Sequence, residues 1–145
     1  MKEVGCPFCD GAGGRVVAQG AHWRIVHAQE AGFPAFYRLV WQDHVREFSQ
    51  LPAAERAECM DLVVAIEQAM LRRLQPAKVN LASLGNVVPH LHWHVIARFD
   101  WDSHFPGPVW AQPLHPADAG RLQELEGRLA ALEEDLAALA PRSAP

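Results

Sequence analysis

The sequence is poor in cysteine, has a single tyrosine and contains no long apolar run. Its three cysteines, Cys6, Cys9 and Cys59, are an odd number, which argues against a disulfide framework and for a reducing setting. No stretch approaches the roughly 20 apolar residues that a membrane-spanning helix needs. The first residues also lack the basic and apolar segments of a secretory signal. We therefore expect a cytoplasmic protein with no membrane partner.

Positive charge is scarce as well. The chain of 145 residues carries 13 lysines and arginines against 17 acidic residues, a net charge of -4. Non-specific binding to nucleic acid requires a basic surface, so this balance argues against a nucleic-acid partner. The composition is otherwise that of a globular protein, with 50% hydrophobic and 21% charged residues. Because there is no repeat or linker, we expect one domain over residues 1–145.

Short β-branched or aromatic segments alternate with helical patterns, which predicts an α+β fold. A loop rich in tryptophan and proline spans 100–116. It precedes a predicted C-terminal helix over about 117–139, whose leucines recur at alternating spacings of three and four residues. This helix is short, which favours packing on its own domain over recruitment of a partner helix. The predicted strands lie at 15–19, 23–28, 36–41, 78–83 and 91–99, and a long helix runs from Pro52 to about Gln75.

Histidine is abundant, with eight residues in the chain, and three of them fall at His90, His92 and His94. Side chains alternate between the two faces of a strand, so these three share one face at a spacing of about 7 Å. Such a row could serve an extended anionic substrate such as a phosphate chain, or it could bind a metal. Three solvated histidines on an edge strand are the structural alternative.

The segment His90-Leu91-His92-Trp93-His94-Val95-Ile96 resembles the signature of the histidine triad (HIT) superfamily, in which three histidines alternate with apolar residues. The resemblance covers roughly residues 4–110 and leaves the C-terminal leucine-rich helix outside. It implies an α+β domain with an antiparallel sheet and a long helix, usually a homodimer. Such proteins hydrolyse or transfer nucleoside monophosphates from phosphoanhydrides, phosphoramidates or related substrates.

The resemblance also implies roles for particular residues. His92 corresponds to the nucleophile, since a neutral imidazole can attack an α-phosphorus and form a covalent phosphoramidate. His94 corresponds to the histidine that contacts the phosphate and the leaving group. Asn86 lies where relatives carry a polar amide near the phosphates, and Asn80 on the preceding strand is a second candidate.

Two positions depart from the pattern of the superfamily. Many relatives carry a further histidine where this chain has Phe36, so a secondary proton-transfer or positioning role is missing. Many also carry an aspartate that accepts the ribose hydroxyls where this chain has Ala28, with Gln29 and Glu30 as substitutes. The sequence therefore supports the phosphate chemistry better than the nucleoside specificity.

Cys6 and Cys9 form a Cys-x-x-Cys pair, which could be structural, redox-active or metal-binding. A redox pair normally opens a helix in a thioredoxin-like context, unlike the Pro7-Phe8 spacer and the glycine run here. In some HIT-like proteins a zinc is held at the positions that match Cys6, Cys9, His44 and His90, and zinc prefers four such ligands. The resemblance thus implies a structural zinc, which would leave His92 and His94 for substrate, with a metal-free cysteine pair as the alternative.

The leading hypothesis is a nucleotidyl hydrolase or transferase, with hydrolysis favoured. Loss of the usual side chains at Phe36 and Ala28 favours a second hypothesis, a nucleotide- or zinc-binding regulatory protein without turnover. A zinc hydrolase that uses the triad as metal ligands is less favoured, because the motif contains no carboxylate. We further expect a homodimer formed through the Met60–Leu74 helix or the strand before Pro89, with the leucine repeat as the rival surface.

Overall fold

A single five-stranded sheet organises the protein in the computed structural model, which describes residues 1–142. Neighbouring strands are antiparallel throughout, in the order first, second, third, fifth, fourth. The predicted α+β class and antiparallel sheet are confirmed. The strands are β1 (Arg15–Gln19), β2 (Trp23–His27), β3 (Phe36–Trp41), β4 (Lys78–Ala82) and β5 (His92–Arg98).

The long helix α2 (Ala53–Leu74) lies close to its predicted bounds. Pro52 precedes its first residue, and Gln75 ends it in the left-handed conformation, with φ of 50°, before Pro76. Val64 and Leu71 are apolar residues of α2 seven positions apart, but they are 47% and 46% exposed. The side chains that α2 buries recur at spacings of three and four residues, and they are Cys59, Leu62, Val63, Ile66, Ala69, Met70 and Leu74.

The two faces of the sheet are covered by different parts of the chain. Ile25, Leu39 and Val95 point to the face that packs with α2 in the main core. Val26 and Val40 point to the opposite face and pack against the N-terminal segment. The central strands are therefore buried on both sides, which explains why β2 and β3 are almost continuously apolar.

The N-terminal segment contains a short helix, α1 (Pro7–Asp10). A 3-10 turn, Phe48–Gln50, lies between β3 and α2. The C-terminal segment is helical as predicted, but it forms two helices, α3 (Ala119–Glu126) and α4 (Leu129–Ala137), rather than one. The break falls at Gly127, a residue with low helix propensity.

The leucine repeat packs into the core of its own domain. Leu132 and Leu136 are fully buried, and Leu125 is nearly so. The Tyr37 hydroxyl donates to the Glu133 carboxylate at 2.8 Å, which fastens α4 to the sheet. The repeat is thus an internal contact and not an exposed surface for a second helix. Among residues 1–142, no helix is both long enough and apolar enough to cross a membrane.

Candidate active site and metal site

Strand β5 presents His92 and His94 on the face opposite α2. Their ring centroids are 4.9 Å apart, and each residue is only 7% exposed. The register of the sheet pairs His92 with Val40 and His94 with Arg38 across β3. Alternation along the strand thus brings two imidazoles together in an enclosed position, as the sequence predicts.

His92 is held by the backbone. Its Nδ1–H donates to the carbonyl oxygen of His90 over 2.6 Å, because a carbonyl can only accept. In the neutral ring this leaves the lone pair on Nε2. Burial lowers the pKa of His92, and the positive charge of Arg38 lowers it further, against an opposing effect of the carbonyl bond. The imidazole is therefore neutral and nucleophilic near pH 7.

His94 has a different environment. Burial, together with His92 and Arg38, lowers its pKa to about 4. Its Nδ1 is buried and has no hydrogen-bond partner among residues 1–142. The rings of Phe36 and Trp110 pack edge-on against it, with centroids 5.5 and 5.1 Å away. His94 is thus a neutral imidazole in an aromatic enclosure with an unused polar atom.

Arg38 is the member of this face that the sequence prediction overlooked. It lies directly across from His94, and its Nη1 donates to the carbonyl oxygen of Gly13 at 2.9 Å. Its Nε is buried without a partner in the described part of the chain. The signal was available, since period-two alternation from Phe36 assigns Arg38 to the same face of β3.

Four side chains from separate segments meet beside this face, and they are the predicted metal ligands Cys6, Cys9, His44 and His90. One ligand atom from each lies within 4.8 Å of all the others. Cys6 and Cys9 flank the first turn of α1, which brings their thiols to one side. All three cysteines of the protein are free thiols.

The distances in this cluster fit a tetrahedral zinc. The His90 Nδ1 atom lies 3.4 Å from Cys6 Sγ and 3.5 Å from Cys9 Sγ. The His44 Nδ1 atom lies 3.5 Å from Cys9 Sγ. Standard zinc–sulfur and zinc–nitrogen bond lengths give about 3.6 Å between such atoms in a tetrahedral site. These three separations match a tetrahedral zinc site, and all four ligand atoms lie within 4.8 Å of one another, so the residues present fit this ion.

The Nε2 atoms of His90 and His44 also have polar partners. The Nε2–H of His90 donates to the Trp41 carbonyl at 2.6 Å, and Nε2 of His44 lies 2.8 Å from the Glu3 carboxylate. Such partners typically fix the tautomer and orientation of metal-binding histidines. They direct Nδ1 of each ring at the cysteines.

The triad is divided between two sites. The His90 ring faces the cysteines, whereas the rings of His92 and His94 contact each other and the aromatic side chains beside them. Within residues 1–142, neither His92 nor His94 belongs to a cluster of three or more ligand atoms. This arrangement disfavours the hypothesis of a zinc hydrolase that uses all three histidines as ligands.

The two predicted asparagines lie in different surroundings. Asn80 is on the histidine face, since it pairs with Ile96, and its Oδ1 accepts from Arg98 at 2.9 Å. Asn86 is exposed in the loop between β4 and β5. The structure does not bring Asn86 into hydrogen-bond contact with the triad.

Arg98 and Asp102 form a buried pair that the sequence prediction did not include. They are 2% and 4% exposed, and two hydrogen bonds of 2.8 and 3.0 Å join them. Arg98 also donates to the Gly107 carbonyl at 2.7 Å. These bonds fold the loop after β5 back over the sheet, where Trp110 contacts His94.

The fold and the divided histidine strand define a domain of the histidine triad type. The family model described as HIT domain matches residues 12–101, and the chain belongs to this family. The resemblance inferred from the sequence is thereby confirmed. No curated protein matches the chain in sequence.

Solved structures of histidine triad proteins are similar to this chain. One from Bradyrhizobium japonicum is 29% identical, with a TM-score of 0.67, over 83% of this chain and 89% of that one. Another from Marinobacter aquaeolei is 27% identical, with a TM-score of 0.71, over 94% of this chain and 99% of that one. A zinc-bound family protein from Mycobacterium smegmatis is 17% identical, with a TM-score of 0.63, over 93% of this chain and 95% of that one.

Proposed function

We propose that this protein is a nucleotidyl hydrolase or transferase that acts on the α-phosphate of a nucleotide conjugate, with hydrolysis the favoured outcome. The conjugate would be a phosphoanhydride or a phosphoramidate. The observation that carries the proposal is the 2.6 Å bond from His92 Nδ1 to the His90 carbonyl. It gives Nε2 the lone pair that a nucleophile requires. Membership of the HIT family supports the same chemistry.

The proposed reaction has two displacements at phosphorus. In the first, the lone pair of His92 Nε2 forms a bond to the α-phosphorus, and the leaving group departs with the electron pair of its own bond and takes up a proton from water. The His90 carbonyl stabilises the positive charge that then develops on the ring. In the second, a water oxygen bonds to phosphorus and loses a proton, and the N–P electron pair returns to Nε2. A nucleoside monophosphate is released; another acceptor in place of water gives transfer.

His94 would contact the phosphate and the leaving group, because it adjoins His92 on the same face and has an unpartnered Nδ1. Asn80 is proposed as a phosphate- or nucleotide-binding residue from the neighbouring strand. We propose the same role for Asn86, which is exposed in the β4–β5 loop.

We also propose a structural zinc on Cys6, Cys9, His44 and His90. The donor set is one that zinc prefers, and the separations of the ligand atoms support it. The related protein from Mycobacterium smegmatis is described as zinc-bound. When bound, the ion would cross-link the N-terminal segment to the sheet. It would keep His90 away from substrate and would take no part in the reaction.

A homodimer in the cytoplasm is the proposed working form. Val64 and Leu71 on α2 and Leu81 on β4 are exposed apolar residues, and α2 contacts β4, which is an edge strand. A twofold pair would remove this surface from water. The three free thiols are consistent with a reducing compartment.

One observation favours the alternative, a nucleotide- or zinc-binding regulatory protein without turnover. Phe36 packs against His94 with an apolar ring, so this neighbour cannot relay a proton. Phosphate or nucleotide binding without chemistry would still be compatible with such a site. The experiment below therefore measures turnover and covalent chemistry separately.

The test is mass spectrometry of enzyme quenched in alkaline denaturant, which preserves N–P bonds, during incubation with dinucleoside polyphosphates and nucleoside phosphoramidates. We expect a nucleotidyl adduct on the peptide that contains His92. We expect His92→Ala to lose the adduct and at least ~10³-fold in kcat. His115→Ala, a change at an exposed histidine, should retain both.

Near wild-type turnover by His92→Ala would contradict the nucleophile assignment. Binding of these nucleotides by the wild type without adduct or product would instead favour the regulatory alternative.

A further inference from the structure

Two unpartnered polar atoms lie on neighbouring residues of the histidine face. Arg38 Nε and His94 Nδ1 are both buried and have no hydrogen-bond partner within residues 1–142. The two residues are directly paired across β3 and β5, a relationship that brings Cβ atoms to about 5 Å. Buried polar atoms in proteins are almost always paired, so two such atoms together indicate a position that is completed by a ligand.

Within the residues that the structure describes, Arg38 also lacks a salt bridge, and the attraction of the Glu30 carboxylate raises the pKa of its guanidinium by less than burial lowers it. Of the salt bridges that the arginines of residues 1–142 form, none involves Arg38. Arg98 on the same face is different, since Asp102 neutralises it through two bonds. A half-buried guanidinium without an ion-paired carboxylate is costly unless another anion accompanies it.

The guanidinium is held in a defined orientation. Its Nη1 donates to Gly13, and its central carbon lies 5.5 Å from the centre of the Phe36 ring. Gly13 has φ of +84°, and a Cβ there would come within 2.7 Å of the Phe8 ring. Only glycine suits this position, so the loop before β1 presents its carbonyl to Arg38 in one way.

We propose that Arg38 is a phosphate-binding residue, which together with His94 receives the phosphoryl group that His92 attacks. The inference rests on the proposed function and extends it by naming a cation for the substrate. A guanidinium suits this purpose, because it forms directed, charge-assisted bonds to phosphate oxygens. Held in an enclosed site, it would also stabilise the negative charge that is spread over those oxygens during displacement.

The proposal explains how the site operates with Phe36 in place of a polar residue. Phe36 supports the guanidinium and packs against His94, so the positive charge is supplied from the next residue on the same face of β3. The rival explanation is that Arg38 only fastens the Gly13 loop. That role would affect folding and every ligand alike, whereas phosphate binding would affect only ligands that carry a phosphate.

The experiment compares the binding of AMP, GMP, CMP and UMP with that of the four nucleosides by calorimetry. It uses wild type, Arg38→Gln, Arg38→Lys and the control Arg121→Gln, which removes an exposed arginine. We expect Arg38→Gln to weaken the preferred monophosphate at least 10-fold and to leave its nucleoside unchanged. Arg38→Lys should lose less, and Arg121→Gln should lose nothing.

Monophosphate binding that is unchanged in Arg38→Gln, or an equal loss for monophosphate and nucleoside, would overturn the proposal. If Arg38→Gln does not fold, Arg38→Lys applies the same criterion, with a loss confined to the monophosphate expected. A loss of affinity confined to the monophosphate, in a protein that forms no His92 adduct, would support Arg38 as a phosphate-binding residue and would refute the proposed reaction. A wild type that binds neither the monophosphates nor inorganic pyrophosphate would overturn both.

Discussion

His90 holds His92 through its backbone and faces the cysteine pair through its ring. The carbonyl oxygen of His90 accepts from His92 Nδ1 at 2.6 Å, while its own Nδ1 lies 3.4 Å from Cys6 Sγ. One residue therefore belongs both to the metal site and to the support of the proposed nucleophile. Substitution of the cysteines should therefore disturb the position of His92, although no cysteine takes part in the proposed reaction.

The first prediction concerns metal content. We expect about one zinc per chain by elemental analysis, because Cys6, Cys9, His44 and His90 could supply the four ligands that zinc prefers. Cys6→Ser combined with Cys9→Ser should abolish it and should lower the melting temperature. Cys59→Ala is the matched control, since Cys59 is buried in α2 away from the cluster. Unchanged zinc in the double variant would exclude this site.

The second prediction concerns pH. His94 has a folded pKa of about 4, against about 6.5 in an unfolded chain, so the unfolded state binds more protons between these values. The contribution of His94 to the free energy of unfolding is therefore complete above pH 6.5. It declines as pH falls toward 4, by about 3 kcal/mol in all.

Urea denaturation between pH 4.5 and 7.5 measures this effect. The slope of stability against pH should be smaller in His94→Asn than in wild type, and unchanged in the exposed-site variant His115→Asn. Equal slopes in all three proteins would show that His94 titrates normally in the folded state.

The third prediction concerns the loop after β5. Asp102→Asn leaves the buried Arg98 without a counter-charge, and we expect it to cost about 3–5 kcal/mol of unfolding free energy. Asp100→Asn, two residues away and exposed, should change stability by less than about 0.5 kcal/mol. Chemical denaturation gives both values. A cost for Asp102→Asn no greater than that of its control would mean that the pair is not a stabilising element.

The fourth prediction concerns assembly. Light scattering at micromolar concentration should give about twice the chain mass of 16.1 kDa. Leu71→Glu puts a charge on the exposed face of α2 and should yield monomers, whereas Leu114→Glu, at an exposed leucine elsewhere, should leave dimers intact. Dimers that persist in Leu71→Glu would exclude this part of α2 as the contact.

Much of the fold could be predicted from local pattern. The strands are rich in β-branched and aromatic residues, and the buried residues of α2 recur at helical spacing. The His-x-His-x-His alternation assigns His92 and His94 to one face. The predicted helical C-terminus is present, but its division into two helices was missed because the leucine spacing continues across Gly127. Val64 and Leu71 follow the helical period yet remain exposed, because periodicity does not reveal how wide a stripe the sheet covers.

The site was harder to predict where it depends on contacts between distant segments. Arg38 becomes significant only through its pairing with His94, more than fifty residues later, and through the Gly13 carbonyl. The Arg98–Asp102 pair likewise depends on a loop that turns back over the sheet. Alternation assigns Arg38 to one face of its own strand, but the residues that it meets from distant segments have no signature in the spacing along the chain.

Helix α4 lies outside the residues that the family model matches, yet it is part of the main core. The family match ends at Trp101, but Leu132 and Leu136 fill the core beneath the sheet, and Glu133 binds the hydroxyl of Tyr37. A chain cut back to residues 12–101 would leave an apolar face open to water and a buried phenol without its acceptor. The unit that unfolds cooperatively is therefore larger than the part that the family model matches, and mutations of the buried leucines in α4 should lower the stability of the histidine strand as well.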